Sequence, residues 1–145
     1  MSAGRIVVGV DMTDASRDAL CWAKAQADAT GAELVVVTAW SYPPASYPTY
    51  AGYVPMRVGM DVEETCRTEL ETFVKDAIGD ACVTLAVVRG HPAQVVLDAA
   101  HDATMVVVGS RGRGQILGAL AGSVSQQVLT HARCPAVVVH HPAAA

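Results

Sequence analysis

Five short apolar runs, at residues 6–10, 34–39, 83–88, 105–108 and 136–139, are rich in valine and mostly do not alternate with polar residues. A strand with one wet face alternates, whereas a strand covered on both faces reads as a continuous apolar run, and such strands belong to parallel sheets. Parallel neighbours need crossover connections. The segments between the runs carry helical period. In the first, Asp14 or Ser16 is placed to cap a helix bearing Ala19, Ala23 and Ala27, with Thr30 and Gly31 as its stop. Asp61 opens a second, with Cys66, Leu70, Phe73, Val74 and Ala77 on one stripe and Gly79 at its end. A third begins at Pro92 and runs through Val95, Val96 and Ala99. A fourth begins near Gly122 and Ser123 and continues through Val124, Val128 and Leu129 to about His131. Alternation of strand and helix predicts an α/β fold: a doubly wound five-stranded parallel sheet with four helices, in three layers. In such sheets ligands bind beyond the carboxyl ends of the strands, where strand order reverses.

The length, 145 residues, suits one domain, 1–145, with a core that needs neither metal nor disulfide. Hydrophobic residues make up 52% and charged residues 17%, which excludes a disordered chain. A net charge of −4 argues against a nucleic-acid binder working by bulk electrostatics. No apolar run approaches the roughly 18 residues of a membrane span, and the first is too short for the core of a secretory leader. A cytoplasmic protein is expected. Its four cysteines, Cys21, Cys66, Cys82 and Cys134, form no Cys-x-x-Cys pair and lie in apolar surroundings, so they read as buried, reduced thiols. His101 and His131 fall at or near helix ends, and His140 and His141 sit together with no third ligand at suitable spacing. No metal site is expected.

Residues 41–59 are irregular, with Tyr42, Tyr47, Tyr50, Tyr53 and four prolines directly after the second strand. That position is at the ligand end of the sheet, and it suits a ligand-covering segment or a surface filler equally. The stretch after the fourth strand is more informative: Val108-Gly109-Ser110-Arg111-Gly112-Arg113-Gly114, then Gly118, then Gly122-Ser123-Val124-Ser125. A glycine-rich turn between a buried strand and a helix is the setting in which backbone amides and a helix N-terminus hold phosphate. All 14 carboxylates lie at or before Asp102, while Arg111, Arg113 and Arg133 follow it. An anion site wants that segregation, although a glycine turn that merely connects two elements remains open. A P-loop is excluded because no Gly-Lys occurs, and a dinucleotide fingerprint is excluded by spacing and by position after the wrong strand.

One spacing does hold: Gly109-x-x-Gly112, nine residues, then Gly122-Ser123. It resembles the nucleotide-binding signature of the universal stress protein family. The resemblance extends to Val8-Gly9-Val10-Asp11 at the end of the first strand, Gly90-x-Pro92-Ala93 before the third helix, and Arg133-Cys134-Pro135 followed by Ala136, Val137, Val138 and Val139. It implies the ATP-binding branch of that family, with strand order 3-2-1-4-5 and adenosine between strands 1 and 4. Carried over, Gly9, Val10 and Asp11 end the first strand, with Asp11 at the adenine edge, and Ala39 is an apolar wall. Val108 and Gly109 pass beside the adenosine. Gly112 meets phosphate or ribose, and Gly122, Ser123, Val124 and Ser125 wrap the phosphates. Arg111 and Arg113 add charge or stay solvated. The resemblance also implies a homodimer through the last strand, which would cover a hydrophobic sheet edge.

Phosphoryl transfer needs a positioned metal, charge stabilisation and an oriented nucleophile. The glycine loop brings amides and hydroxyls but no acid of its own, and Asp11 or Asp14 would have to supply one. The leading expectation is therefore a non-catalytic, ATP-binding regulatory protein, with Mg²⁺ accompanying the nucleotide and a regulatory partner not specified by the sequence. Without a P-loop lysine the affinity expected is micromolar, about −8 kcal/mol. Slow ATP hydrolysis or self-phosphorylation through Ser123 or Ser125 is one alternative. A ligand-free dimeric interaction module is the other.

Overall fold

The computed structural model describes residues 3–41, 56–110 and 122–141. Along them run β1 (Arg5–Gly9), α1 (Asp14–Thr30), β2 (Glu33–Trp40), α2 (Met56–Ile78), β3 (Thr84–Arg89), α3 (Pro92–Ala99), β4 (Met105–Gly109), α4 (Ser123–His131) and β5 (Ala136–Val139). The strands form one parallel sheet, as the valine runs predict, in the order β3-β2-β1-β4-β5 that the family resemblance implies. Order reverses at β1, so the chain crosses to one side through β2 and β3 and to the other through β4 and β5. The edge between β1 and β4 is left as the natural ligand crevice.

Neighbouring residues of a strand point to opposite faces, which accounts for the unbroken valine runs. Ile6, Val8, Leu34, Val36, Val87 and Val107 face α1 and α2, where Ala19, Leu20, Ala23, Leu70 and Val74 cover them. Val7, Val37, Val106 and Val108 face the other way, against Val95, Val96 and Ala100 at α3 and Val128 of α4. Both faces are dry, and burying each Leu or Val side chain contributes about 1.5–3 kcal/mol. The alanines of α1 allow that helix to lie close on the sheet. Gly31 stops it at φ 74°, donating its N–H back to Ala27, and the chain turns directly into β2.

Three local expectations are corrected. The cap of α1 is Thr13, whose hydroxyl oxygen accepts the Ser16 N–H at 3.3 Å; Asp14 lies inside the first turn and Ser16 is buried. Helix α2 begins at Met56, not Asp61, so less of the Tyr/Pro stretch is irregular than expected. Residues 42–55 of that stretch lie outside the described residues. No disulfide joins the cysteines, but none of them is buried: Cys21 and Cys82 are exposed, and Cys66 and Cys134 are half-buried. The Ala19–Ala23–Ala27 stripe takes the core face of α1 and leaves Cys21 outside it, where its thiol donates to the Ala77 carbonyl at 3.6 Å.

Candidate functional site

At the carboxyl edge of the sheet, β1 ends at Gly9 and Val10 makes one last ladder contact, its N–H to the Val37 carbonyl at 3.0 Å. The buried hydroxyl of Thr38 donates to the Val10 carbonyl at 2.9 Å. Both backbone groups of Val10 are thus engaged, and what it offers a ligand is an apolar surface. The chain then turns away at Met12, which holds φ 64°, a left-handed conformation that costs a non-glycine residue on the order of 1–3 kcal/mol. That turn fixes Asp11. Its Oδ1 accepts the Thr13 N–H at 3.1 Å and the Thr13 hydroxyl, while the Asp11 N–H donates to Ser16 Oγ at 3.3 Å. The carboxylate is held half-buried at the mouth of the crevice and joined to the cap of α1.

Beside it, β2 continues past the end of β1. Among the described residues the β1–β2 register closes at Gly9 opposite Val37. A strand's N–H and C=O groups alternate sides, so those of Ala39 point the same way as the Val37 carbonyl, toward β1 and beyond the end of that ladder. Ala39 therefore offers a backbone donor and acceptor as well as an apolar wall.

The opposite wall is β4. Val108 is buried against the α3 side, and Gly109 closes the strand. A Cβ on Gly109 would stand 2.8 Å from the Ala15 carbonyl oxygen and 2.9 Å from its carbon. A Cβ on Gly9 would stand 2.6 Å from Val96 Cγ2. Each of these two glycines is accounted for by close packing of a helix on the sheet, without invoking a ligand. Ser110 follows, 3% exposed, with its N–H on the Val139 carbonyl at 2.9 Å.

Helix α4 starts beside this wall. Gly122, buried and extended (φ −71°, ψ 162°), is its N-cap and supplies no side-chain bond to the first turn. Its N–H donates to the Ser110 carbonyl at 2.7 Å, and its own carbonyl accepts the Gln126 N–H at 3.0 Å and the Ser125 hydroxyl at 2.8 Å. Ser125 is buried with its hydroxyl directed back to the cap; Val124 is half-buried; Ser123 is exposed at the mouth. First-turn N–H groups have no intrahelical acceptor, so they face outward and favour an anion. A hydrogen bond to a charged phosphate contributes roughly 1.5–3 kcal/mol.

Of the residues singled out from sequence, Gly9, Val10, Asp11, Ala39, Val108, Gly109, Gly122, Ser123, Val124 and Ser125 thus lie at this one edge. Arg111 and Gly112, with Arg113, lie outside the described residues. Sequence reasoning gave no role to Met12, Thr13, Thr38 and Ser110, which shape the edge, and weighed His141 only as a metal ligand, whereas its Nδ1 lies 2.6 Å from Asp18 Oδ2. The Ser/Thr residues carried a signal, since such residues at a strand end or helix start commonly bond the backbone. The His141 contact carried none, because 123 positions separate its partners. Among the described residues no three His, Cys, Asp or Glu side chains gather as metal ligands, and no helix is long and apolar enough to cross a membrane.

Comparison with known proteins bears on the fold and the family. Residues 3–140 match the sequence model of the universal stress protein family. Universal stress protein Rv2623 of Mycobacterium tuberculosis is 33% identical over 133 residues, covering 92% of this chain and 44% of the relative. Universal stress protein Rv2005c of the same organism is 31% identical over 143 residues, covering 93% and 47%. The chain therefore spans about half the length of the curated relatives it matches. Among solved structures, universal stress protein UspA from Lactobacillus plantarum superposes with a TM-score of 0.72 at 20% identity, covering 96% of this chain and 99% of that one. A universal stress protein in complex with cAMP superposes with a TM-score of 0.62 at 26% identity, covering 94% and 96%. With the strand order, the matched span and the sequence likeness all in agreement, the chain belongs to the universal stress protein family.

Proposed function

We propose that this chain is a non-catalytic nucleotide-binding regulatory module of the stress response, with ATP its ligand. The single observation that carries the reading is the start of α4: a glycine N-cap without a side-chain bond, fastened to the end of β4, which leaves first-turn amides facing the crevice. In this reading adenine lies between the ends of β1 and β4, against Val10, Ala39 and Val108, with Asp11 and the Ala39 backbone reading its edge. The phosphates meet Gly122, Ser123, Val124 and Ser125, joined by Arg111 and Gly112. Because Asp11 Oδ1 is occupied by Thr13, Mg²⁺ would be held by phosphate oxygens and water more than by the protein. A relative of this fold in complex with cAMP supports the adenine-nucleotide class and makes a cyclic nucleotide the second ligand to test.

Regulation without chemistry is the reading the donor set favours: amides and hydroxyls bind phosphate, and Asp11, the carboxylate at the mouth of the crevice, has its Oδ1 engaged by Thr13. The readout is then assembly. Strand β5 is half-buried at the sheet's outer edge, and pairing its Ala136, Val137, Val138 and Val139 with a second copy would cover that edge in a cytoplasmic homodimer. Calorimetric titration of nucleotide-stripped protein with ATP and Mg²⁺, with Gly122→Lys as the control, tests the site. Saturable micromolar binding lost in the variant is expected; no heat and no thermal shift would refute it. Sedimentation tests the assembly, and a clean monomer would remove the homodimer.

A further inference from the structure

Ser110 holds three pieces of chain at once. Its N–H donates to Val139 at the end of β5 (2.9 Å), its C=O accepts the N–H of Gly122 at the start of α4 (2.7 Å), and its Oγ accepts the N–H of His141 (3.3 Å). Ser110 itself is 3% exposed, so its backbone bonds are shielded from water, while its bond to His141 is part-buried. His141, two residues past β5, is anchored again by its ring, whose Nδ1 is 2.6 Å from Asp18 Oδ2 on α1. The chain leaving β5 is thus held from two sides, and one hold is the residue that also fixes the N-cap of α4.

We propose that Ser110 is a positioning residue for the anion-binding end of α4 and that the Asp18–His141 pair is the clasp that keeps Ser110 in place. Through this one buried residue the ligand end of α4 and the outer strand β5 are coupled. The ligand side of the inference rests on the nucleotide reading above. A ligand drawing on the first turn of α4 favours the arrangement in which Gly122 is fastened to Ser110, and that arrangement also fixes Ser110 to Val139 and His141. Occupancy therefore orders the end of β5, and by linkage a tightened β5 improves the site by the same factor.

Amide exchange followed residue by residue by NMR on the full chain tests this. Wild type, Ser110→Ala, Asp18→Ala and the double variant are compared without ligand and with ATP and Mg²⁺. Ser110→Ala removes the bond from His141 N–H to Ser110 Oγ, and Asp18→Ala removes the ring contact of His141, while the Gly122 bond to the Ser110 carbonyl stays but loosens. Without ligand, each is expected to speed exchange of the Gly122 amide about tenfold, the change that one lost hydrogen bond of the clasp brings. Amides of Val8 and Val36 in the central ladder should keep their rates. The double variant should do little more than either single one, since both remove the same hold. An unchanged Gly122 rate, or a rise shared equally by the central ladder, overturns the inference and leaves the nucleotide reading standing. With ATP, the wild-type Ser110 amide should slow together with Gly122, and less in Asp18→Ala. Protection confined to α4 overturns the coupling to β5. Should ATP fail to bind at all, the nucleotide reading falls alone, because the ligand-free rates decide the role of Ser110 by themselves.

Discussion

Gly109→Ala separates two reasons for a glycine at the end of β4: room for a ligand, or room for a helix. An ideal Cβ there would lie 2.8 Å from the Ala15 carbonyl oxygen, 2.9 Å from its carbon and 3.2 Å from the Ser16 nitrogen. All three are backbone atoms in the first turn of α1, so no rotamer change relieves the clash; the helix end itself must move by several tenths of an ångström. Forcing one methyl into such a contact costs about 1–3 kcal/mol. Replacing glycine by alanine returns roughly 0.4–1 kcal/mol through the unfolded chain. The net loss is about 1–2 kcal/mol, or a fall in Tm of roughly 3–6 °C at this size. The moving turn carries the Thr13 cap and, through it, Asp11, so nucleotide affinity should fall as well. The assay is thermal unfolding of nucleotide-free protein. A Tm within 1 °C or so of wild type, with nucleotide binding lost, would refute the packing argument and return Gly109 to the ligand.

Gly9→Ala meets a side chain instead, Val96 Cγ2 at 2.6 Å, so Val96→Ala should recover part of its loss, with a coupling of about 1 kcal/mol in a double-mutant cycle by thermal unfolding. Thr38→Val keeps shape but removes the buried 2.9 Å bond to Val10, and should lower stability by about 1–2 kcal/mol in a denaturant titration. Burial pushes the Cys134 thiol up, because a thiolate there loses hydration. In iodoacetamide labelling followed by mass spectrometry, Cys134 should lag behind the exposed Cys21 and Cys82, and gain on them as pH rises. The linkage has a matching sign: with the folded value raised, the contribution to stability is complete at neutral pH and is lost as pH climbs through the thiol range.

Much of the fold was legible because its signals are local. Doubly buried strands need apolar residues at every position, and the valine runs supply them; Gly31 and Gly79 have positive φ at helix ends, and Pro92 opens α3. The start of α2 was missed because Met56 carries no Ser, Thr or Asp cap to mark it, whereas Asp61, which resembles one, lies inside the helix. The cap of α1 was misassigned for the opposite reason. Thr13, Asp14 and Ser16 are all competent, and the choice fell to Thr13 because Asp11 and the left-handed Met12 deliver the chain at that residue. Cysteine burial was misread for Cys21 and Cys66 because apolar neighbours in sequence do not share a face on a helix, and for Cys82 and Cys134 because they stand in the connections that lead into β3 and β5.

The sequence by itself determined the α/β class, the succession of elements and the glycine spacing that brings β4 to the start of α4, since each depends on periodicity or a turn within a few residues. The tertiary structure alone decided which partners the edge residues take: Gly109 against Ala15, Thr38 on Val10, Ser110 on both Val139 and Gly122, and His141 on Asp18. Those contacts join positions far apart in the chain. Their existence depends on how sheet register and helix placement add up across the domain, and no local pattern carries that sum.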